Sequence, residues 1–396
     1  MDTKGISKLD LKRRNRRQIL LAIREAGTLA RVDIAARLSL TRAAVTIITN
    51  QMISQNILED LNGPIPEAQE GPKKKGRKKT MIRINPSYKY VLGAVINDND
   101  VCVGLSNLAG ESLGSAVLEL NDKTEQQEVI SFIVNTCVEL MQKQNITNKQ
   151  VLGLGVGIVP PRFAQFRAEN KNGIVTFTKL CYLLEMELSV PVCAAGAIAL
   201  YTLANIDYKA APNTNQLLIY SGAAYHSAAI SDKELLGGIA ADTAAIDRMI
   251  LDPAGAEWEG YPRGSVHAEI TRAALLKLLK QATGKDLTID EANVLYEKGD
   301  KAVSSVLDRA LDRLALLVYN LAVSNHANAV TLQDFCFAPK SLGILQEKLN
   351  MLAGNDELTV KLSPITGEKS FLAGCALAME KQFFDLGGMQ PGETMA

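Results

Sequence analysis

Thr41, Arg42, Thr46, Thr49 and Asn50 lie within ten residues of one another. All five carry short or forked hydrogen-bonding side chains, the kind that can reach the base edges of a DNA groove. On a helix, Arg42, Thr46 and Asn50 recur every four residues along one side, while Val45, Ile48 and Met52 mark the opposite side as buried. Arg13, Arg14, Arg16 and Arg17 precede this segment, and Lys73, Lys74, Lys75, Arg77, Lys78 and Lys79 follow it. The lysine-rich run has almost no apolar content and cannot be core, so beside such a helix the arginines read as phosphate-holding groups and the lysine-rich run as a phosphate or minor-groove contact. Elsewhere the chemistry is sparse. His226, His267 and His326 show no HxxxH or HExxH spacing, and the six cysteines lie far apart with no CxxC pair. Structural histidines and scattered buried thiols are expected. No G-x-S-x-G, Walker A or strand–turn–helix GxGxxG is present. The glycine-rich GLGVG at 153–157 sits within a strand pattern, with no Lys-Ser/Thr after it, and points to close strand packing.

These groups need elements to position them. Residues 15–27 place Ile19, Leu20 and Ile23 on one helical face, with Asn15 able to cap the start and Gly27 to stop the helix. Residues 31–39 predict a second short helix with Val32, Ile34, Ala35 and Leu38 inward. A turn through Ser39, Leu40 and Thr41, the last a candidate N-cap, leads to a third helix over 42–56. Two helices joined by a tight turn, the second presenting small polar side chains and an arginine, suit a major groove. Residues 57–61 and 80–84 then predict the two strands of a wing, on either side of a polar loop at 62–79.

The charge distribution agrees. The chain has 43 basic and 43 acidic residues, yet residues 1–80 hold 17 basic against 8 acidic, and the remainder 26 against 35. A basic head on an acidic body suggests a polyanion-binding module joined to something else. A length of 396 residues allows two or three domains, and 47% apolar with 22% charged residues excludes collagen-like, mucin-like and disordered classes. No basic-then-apolar leader opens the sequence, and its apolar stretches are too short or interrupted to span a bilayer, so a cytoplasmic location and no membrane partner are expected.

In the body, β-branched runs at 90–96, 101–105, 151–158 and 216–220 alternate with helical stretches at 126–143 and 302–324, which predicts α/β layers. The chain resembles the ROK family of bacterial sugar-responsive repressors and sugar kinases. The likeness is carried by GRKKTMIRINP and the strands ending NLAGE (76–111), LGLGVGIVPP (152–161), VPVCAAGAIALYTLAN (190–205) and FLAGCALAME (371–380). The order and spacing of these motifs run through nearly the whole chain. The resemblance implies an α/β protein with an N-terminal winged helix-turn-helix, followed by a two-lobed actin-like, hexokinase-type (RNase H-like) ATPase fold. It implies a DNA-binding domain at 1–85, a first lobe at 86–200 completed by a C-terminal helix at 371–390, and a second lobe at 201–370 for effector binding and dimerisation.

Departures from the family pattern are informative. Family kinases place an aspartate in the first strand before a glycine-rich phosphate turn; here that place holds Val95, then Ile96, Asn97 and Asp98. The aspartate that deprotonates the sugar hydroxyl maps to Ala197, which has no proton-accepting atom. The second phosphate strand maps to GAAYHSAA at 222–229, too crowded for backbone amides to approach a phosphate. With Asp252-Pro253 as anchor, the Glu and His of the family's E-x-G-H element map to Ala245 and Arg248. The zinc-binding cysteines map to Trp258, Gly260 and Ser265, and the sugar-binding glutamate to His267. No metal, no cofactor and no catalytic residue are expected, and Trp258 could pack where the metal would hold the loop.

The resulting expectation is a DNA-binding transcriptional regulator, a repressor by type, acting as a homodimer or dimer of dimers on a double-stranded operator. Its kinase-like body would serve dimerisation and possible sensing of a small-molecule effector, with Arg248 and His267 as candidate effector contacts. An ATP-dependent sugar kinase and a non-catalytic scaffold are the competing classes.

Overall fold

Helix α1 (Lys8–Ala26) starts seven residues before the expected Asn15. The preceding stretch is rich in helix formers and holds no breaker, so Asn15 lies inside the helix and does not cap it. Ile19, Leu20 and Ile23 are fully buried as predicted, and Gly27, at φ +75°, ends the helix. The structure describes residues 8–61, 80–121, 123–166, 168–169, 175–208, 215–231, 234–236, 244–354 and 357–389 of the chain, in a computed structural model.

After α1 come strand β1 (Leu29–Ala30), helix α2 (Arg31–Leu38) and helix α3 (Arg42–Ser54), then wing strands β2 (Leu58–Leu61) and β3 (Met81–Ile84). The three strands form one antiparallel sheet in the order β1-β3-β2, so the head consists of three helices and this small sheet. Ile34 and Ala35 of α2 are buried, but Val32 and Leu38, expected inward, are only partly so. An eight-residue helix offers too narrow a stripe to bury all four.

The body opens with β4 (Tyr90–Ile96), β5 (Asp100–Asn107), β6 (Ser112–Glu119), α4 (Gln126–Lys143) and β7 (Val151–Ile158). There follow a single turn α5 (Phe163–Phe166), a two-stranded ribbon of β8 (Ala168–Glu169) and β9 (Val175–Thr176), helix α6 (Thr178–Leu188), strand β10 (Val192–Gly196) and helix α7 (Ala197–Asp207). The second lobe contains β11 (Gln216–Ser221), β12 (Tyr225–Ser231), β13 (Glu234–Leu235) and β14 (Ala244–Ala245). Its helices are α8 (Val266–Ile270), α9 (Arg272–Thr283), α10 (Ile289–Glu297) and α11 (Lys301–Ser324). Then come β15 (Ala329–Gln333), α12 (Ser341–Ala353) and β16 (Thr359–Leu362), and last the helix α13 (Phe371–Met379) continued by a π-helical turn at Glu380–Phe384.

The two body sheets are built on one plan. The first runs β10-β7-β4-β5-β6 and the second β16-β15-β11-β12-β13, each with an antiparallel meander on one side and parallel strands on the other. All nine residues of α13 are buried, and the helix lies directly on β4 and β7 of the first sheet. Glycines allow this contact. A Cβ at Gly155 would lie 1.9 Å from the carbonyl oxygen of Gly374, and one at Gly93 would lie 2.1 Å from that of Phe371. GLGVG is therefore a packing device, as its place within a strand predicts.

Candidate nucleic-acid interface and interlobe cleft

Helix α3 presents its polar side to solvent. Thr41 caps the helix by accepting a 3.2 Å hydrogen bond from the amide of Ala44. Thr41, Arg42, Thr46 and Asn50 are exposed, whereas Val45, Ile48 and Met52 are buried. Thr49 departs from the sequence expectation: it is fully buried, donates to the carbonyl of Val45 (2.8 Å) and accepts from Arg31 (3.0 Å). Its position, 100° round from Ile48, falls on the edge of the apolar stripe, so it is removed from the set that could touch a base. Arg31, which sequence reasoning missed, joins three elements from the first position of α2. It donates to Thr49 and to the Asn50 carboxamide (3.3 Å) on α3, and pairs with Asp60 (3.1 Å) on the wing. It acts as a positioning residue for Asn50.

The arginine cluster of α1 divides. Arg14 is exposed and Arg13 partly buried. Arg16 is 1% exposed and donates to the carbonyl of Gly387 (2.7 Å) and to Gln55 (2.9 Å), so it holds the C-terminal segment against the head and cannot reach a phosphate. Arg17 pairs with Glu380 (3.1 Å) and Asp385 (3.3 Å). Arg24 pairs with Glu380 (3.0 Å) and Asp207 and lies over the ring of Phe384 at 4.5 Å. Periodicity alone could not assign these partners, because they come from the far end of the chain. Lys73, Lys74, Lys75, Arg77, Lys78 and Lys79 lie outside the described residues.

A cavity of about 610 Å³ lies between the lobes, where the carboxyl ends of β4, β11, β15 and β16 converge. In an α/β fold this is where ligands bind. Its chemistry is unusual for a phosphate site. Asp98, from the hairpin after β4, crosses to the second lobe and accepts from the backbone amide of Ala223 (2.7 Å) and from the Tyr220 hydroxyl (3.1 Å). Only glycine at 222 allows this approach, since a Cβ there would lie 2.2 Å from the Asp98 carboxylate. A side-chain carboxylate thus takes the amide that a phosphate oxygen would need. Arg162 donates to the Asp98 carbonyl and fixes the turn. Ala197 is fully buried and faces Gly157.

Asp334 lines the same cavity. Burial, with Asp100 and Asp98 nearby, pushes its carboxyl up to about 6. The folded state therefore binds this proton more tightly than the unfolded chain, and ionisation of Asp334 opposes folding above that pH. Asp334→Asn is expected to raise the melting temperature at about pH 7.5. The gain should shrink as pH falls through about 6 and be gone below about pH 4, where both states are protonated. Paired melts across this range check it; a gain independent of pH would refute the assignment.

Arg248 and His267 come together at a third place. The rings of His267 and Tyr261 stack at 3.7 Å, Trp258 meets His267 edge-on at 5.2 Å, and the Arg248 guanidinium lies 5.6 Å from the centre of Tyr261. Arg248 also donates to the carbonyl of Gly260 (2.9 Å). Burial holds His267 below its ordinary value, against the opposing pull of Asp247. Neither Arg248 nor His267 lines the interlobe cavity. Trp258 packs on His267 as well as under Lys277. The loop carrying it is tied down at two points: Glu269 of α8, 1% exposed and paired with Arg309 (3.1 Å), accepts from the backbone amide of Ala256, and Arg313 pairs with Asp252. Among the described residues no group of three or more His, Cys, Asp or Glu side chains could hold a metal ion. Burial also pushes the thiols of Cys181 and Cys336 up to about 11 and those of Cys193 and Cys375 to about 12, which leaves them weak nucleophiles.

No known family profile matches the chain. A xylose repressor from Lactiplantibacillus pentosus is 24% identical over 394 residues, spanning 95% of this chain and 95% of its own. One from Staphylococcus xylosus is 21% identical over 383 residues, spanning 93% and 94%. A crystal structure of a ROK family transcriptional regulator, a homologue of the E. coli MLC protein, superposes with a TM-score of 0.72 at 15% identity, covering 95% of this chain and 98% of that one. A ROK hexokinase from Thermus thermophilus superposes with a TM-score of 0.59 at 14% identity, covering 74% and 98%. The α/β architecture with hexokinase-type lobes is thus the observed fold. Among the described residues no helix is long and apolar enough to cross a membrane.

Proposed function

We propose that this ROK-type chain is a DNA-binding transcriptional repressor whose two-lobed body senses a metabolite and no longer phosphorylates sugars. The observation that carries the reading is the outward face of α3, with Arg42, Thr46 and Asn50 exposed on a winged helix-turn-helix. A single such head reads one half-site, so a homodimer or a dimer of dimers would place two heads on a palindromic operator. Thr41, Arg42, Thr46 and Asn50 are then the base-reading set. Arg13, Arg14 and the lysines of residues 73–79 hold phosphates. Loss of kinase activity follows from Ala197 and from Asp98, which occupies the amide of Ala223 and, with Asp100 and Asp334, repels a polyphosphate.

Two relatives bear the name xylose repressor. An aldopentose is the ligand class this reading assigns. Arg42 opens α3 and can fork two hydrogen bonds to a guanine edge. Arg42→Ala is therefore expected to cost about 1–3 kcal/mol on the operator and little on scrambled DNA. Fluorescence anisotropy on the two duplexes checks this, and release of the operator by xylose in the same titration tests the sensing role. Equal weakening on both duplexes, or no preference for any sequence in the wild type, would overturn the proposal.

A further inference from the structure

Ile47 is 60% exposed at the middle of α3, the most exposed large apolar side chain among the described residues of the head. It sits four residues after Ala43 and three before Asn50, both exposed, so the three lie along the centre line of the outward face. Arg42 and Thr46 flank them on one side and Gln51 on the other. Folding does not account for an isoleucine here. The buried stripe of α3 is already supplied by Val45, Ile48 and Met52, and a β-branched residue is a poorer helix former than the alanines around it.

We propose that Ile47 reads a thymine of the operator through the C5-methyl group. The inference rests on the DNA-binding reading above and adds a specificity-determining residue to it. In the major groove thymine alone among the four bases presents a methyl, and that is the surface an aliphatic side chain can recognise. A β-branched side chain on a helix holds one dominant rotamer, so Ile47 aims at one spot and loses little freedom on contact. The small side chain of Ala43 lets the helix come close to the groove floor. Charge selects DNA as the occupant of this face over an apolar protein surface: α3 carries no acidic residue, and residues 1–80 hold 17 basic against 8 acidic.

The test begins with an operator recovered by the full-length protein from a pool of random duplexes. Each thymine is then exchanged singly for deoxyuridine, which removes only the methyl. The wild type should lose about four-fold in affinity at one position in each half-site, the equivalent of burying one methyl. Ile47→Ala, a change at an exposed site, should bind the thymine operator at least that much more weakly and be indifferent to the exchange. Ile47→Val should retain part of the discrimination. Specific binding with no thymine dependence anywhere, or full discrimination retained by Ile47→Ala, would overturn the assignment while leaving the DNA-binding reading intact. A change in oligomeric mass on Ile47→Ala with discrimination retained would also overturn it, as the mark of a protein contact. Recovery of no sequence at all would overturn both.

Discussion

Gly155→Ala is expected to abolish the native first lobe. The added methyl would lie 1.9 Å from the carbonyl oxygen of Gly374 and 2.8 Å from its carbonyl carbon, both backbone atoms of a fully buried helix. Overpacking against side chains costs about 1–3 kcal/mol, because rotamers can adjust. Here strand β7 and helix α13 must themselves separate, and α13 also packs on β4 at Gly93, so the shift spreads to a second strand. The cost should exceed that range, a large share of the total stability of a domain. Soluble yield and thermal melts would read it directly. Gly343→Ala is the matched control: it lies in α12, an added Cβ there meets nothing within 4 Å, and the exchange should stabilise by about 0.5–1 kcal/mol. If both variants melt like the wild type, the close approach of α13 to β7 is wrong.

Arg24→Ala is expected to loosen the head from the body. Arg24 links helix α1 to Glu380 of the π-helical turn and to Asp207 at the end of α7, and its guanidinium covers Phe384. The side chains of Arg24 and Glu380 are each 15% exposed and that of Asp207 only 1%. Removing the arginine leaves Asp207 buried without its cation, a loss of about 3–5 kcal/mol for pairs of this kind. Arg24→Lys should recover little, since one ammonium cannot fork between two carboxylates as a guanidinium does. Hydrogen exchange separates this from general unfolding. Amides of α1 should exchange faster in Arg24→Ala while those of α4, in the first lobe away from the contact, keep their protection. Equal acceleration in both helices would mean that Arg24 supports the whole fold and not the junction.

These two contacts also form a continuous route. Helix α7 begins at Ala197 in the body and ends at Asp207, and α13 packs against α7 before its π-helical turn meets α1. A movement of either helix would bear on the anchor of the head at Arg24.

Local pattern determined a good deal by itself. The apolar stripe of Val45, Ile48 and Met52, the cap at Thr41, the strands at 90–96 and 151–158 and the packing role of GLGVG all depend on residues within a few positions of one another, where helix and strand periods act. The basic head was legible for the same reason, as a property of a contiguous segment. Tertiary structure decided the rest. Arg16 and Arg17 have the sequence of a phosphate clamp, yet Gly387, Glu380 and Asp385 take them. Thr49 matches the polar run beside it, but Arg31 and a neighbouring carbonyl satisfy it inside. Asp98 carries no sign in the sequence that it will cross a cleft to the amide of Ala223, 125 residues away. Charge and hydrogen-bonding capacity are written in residue type, whereas their partners are chosen only when distant segments fold against each other, because a buried polar group must find one wherever the chain brings it.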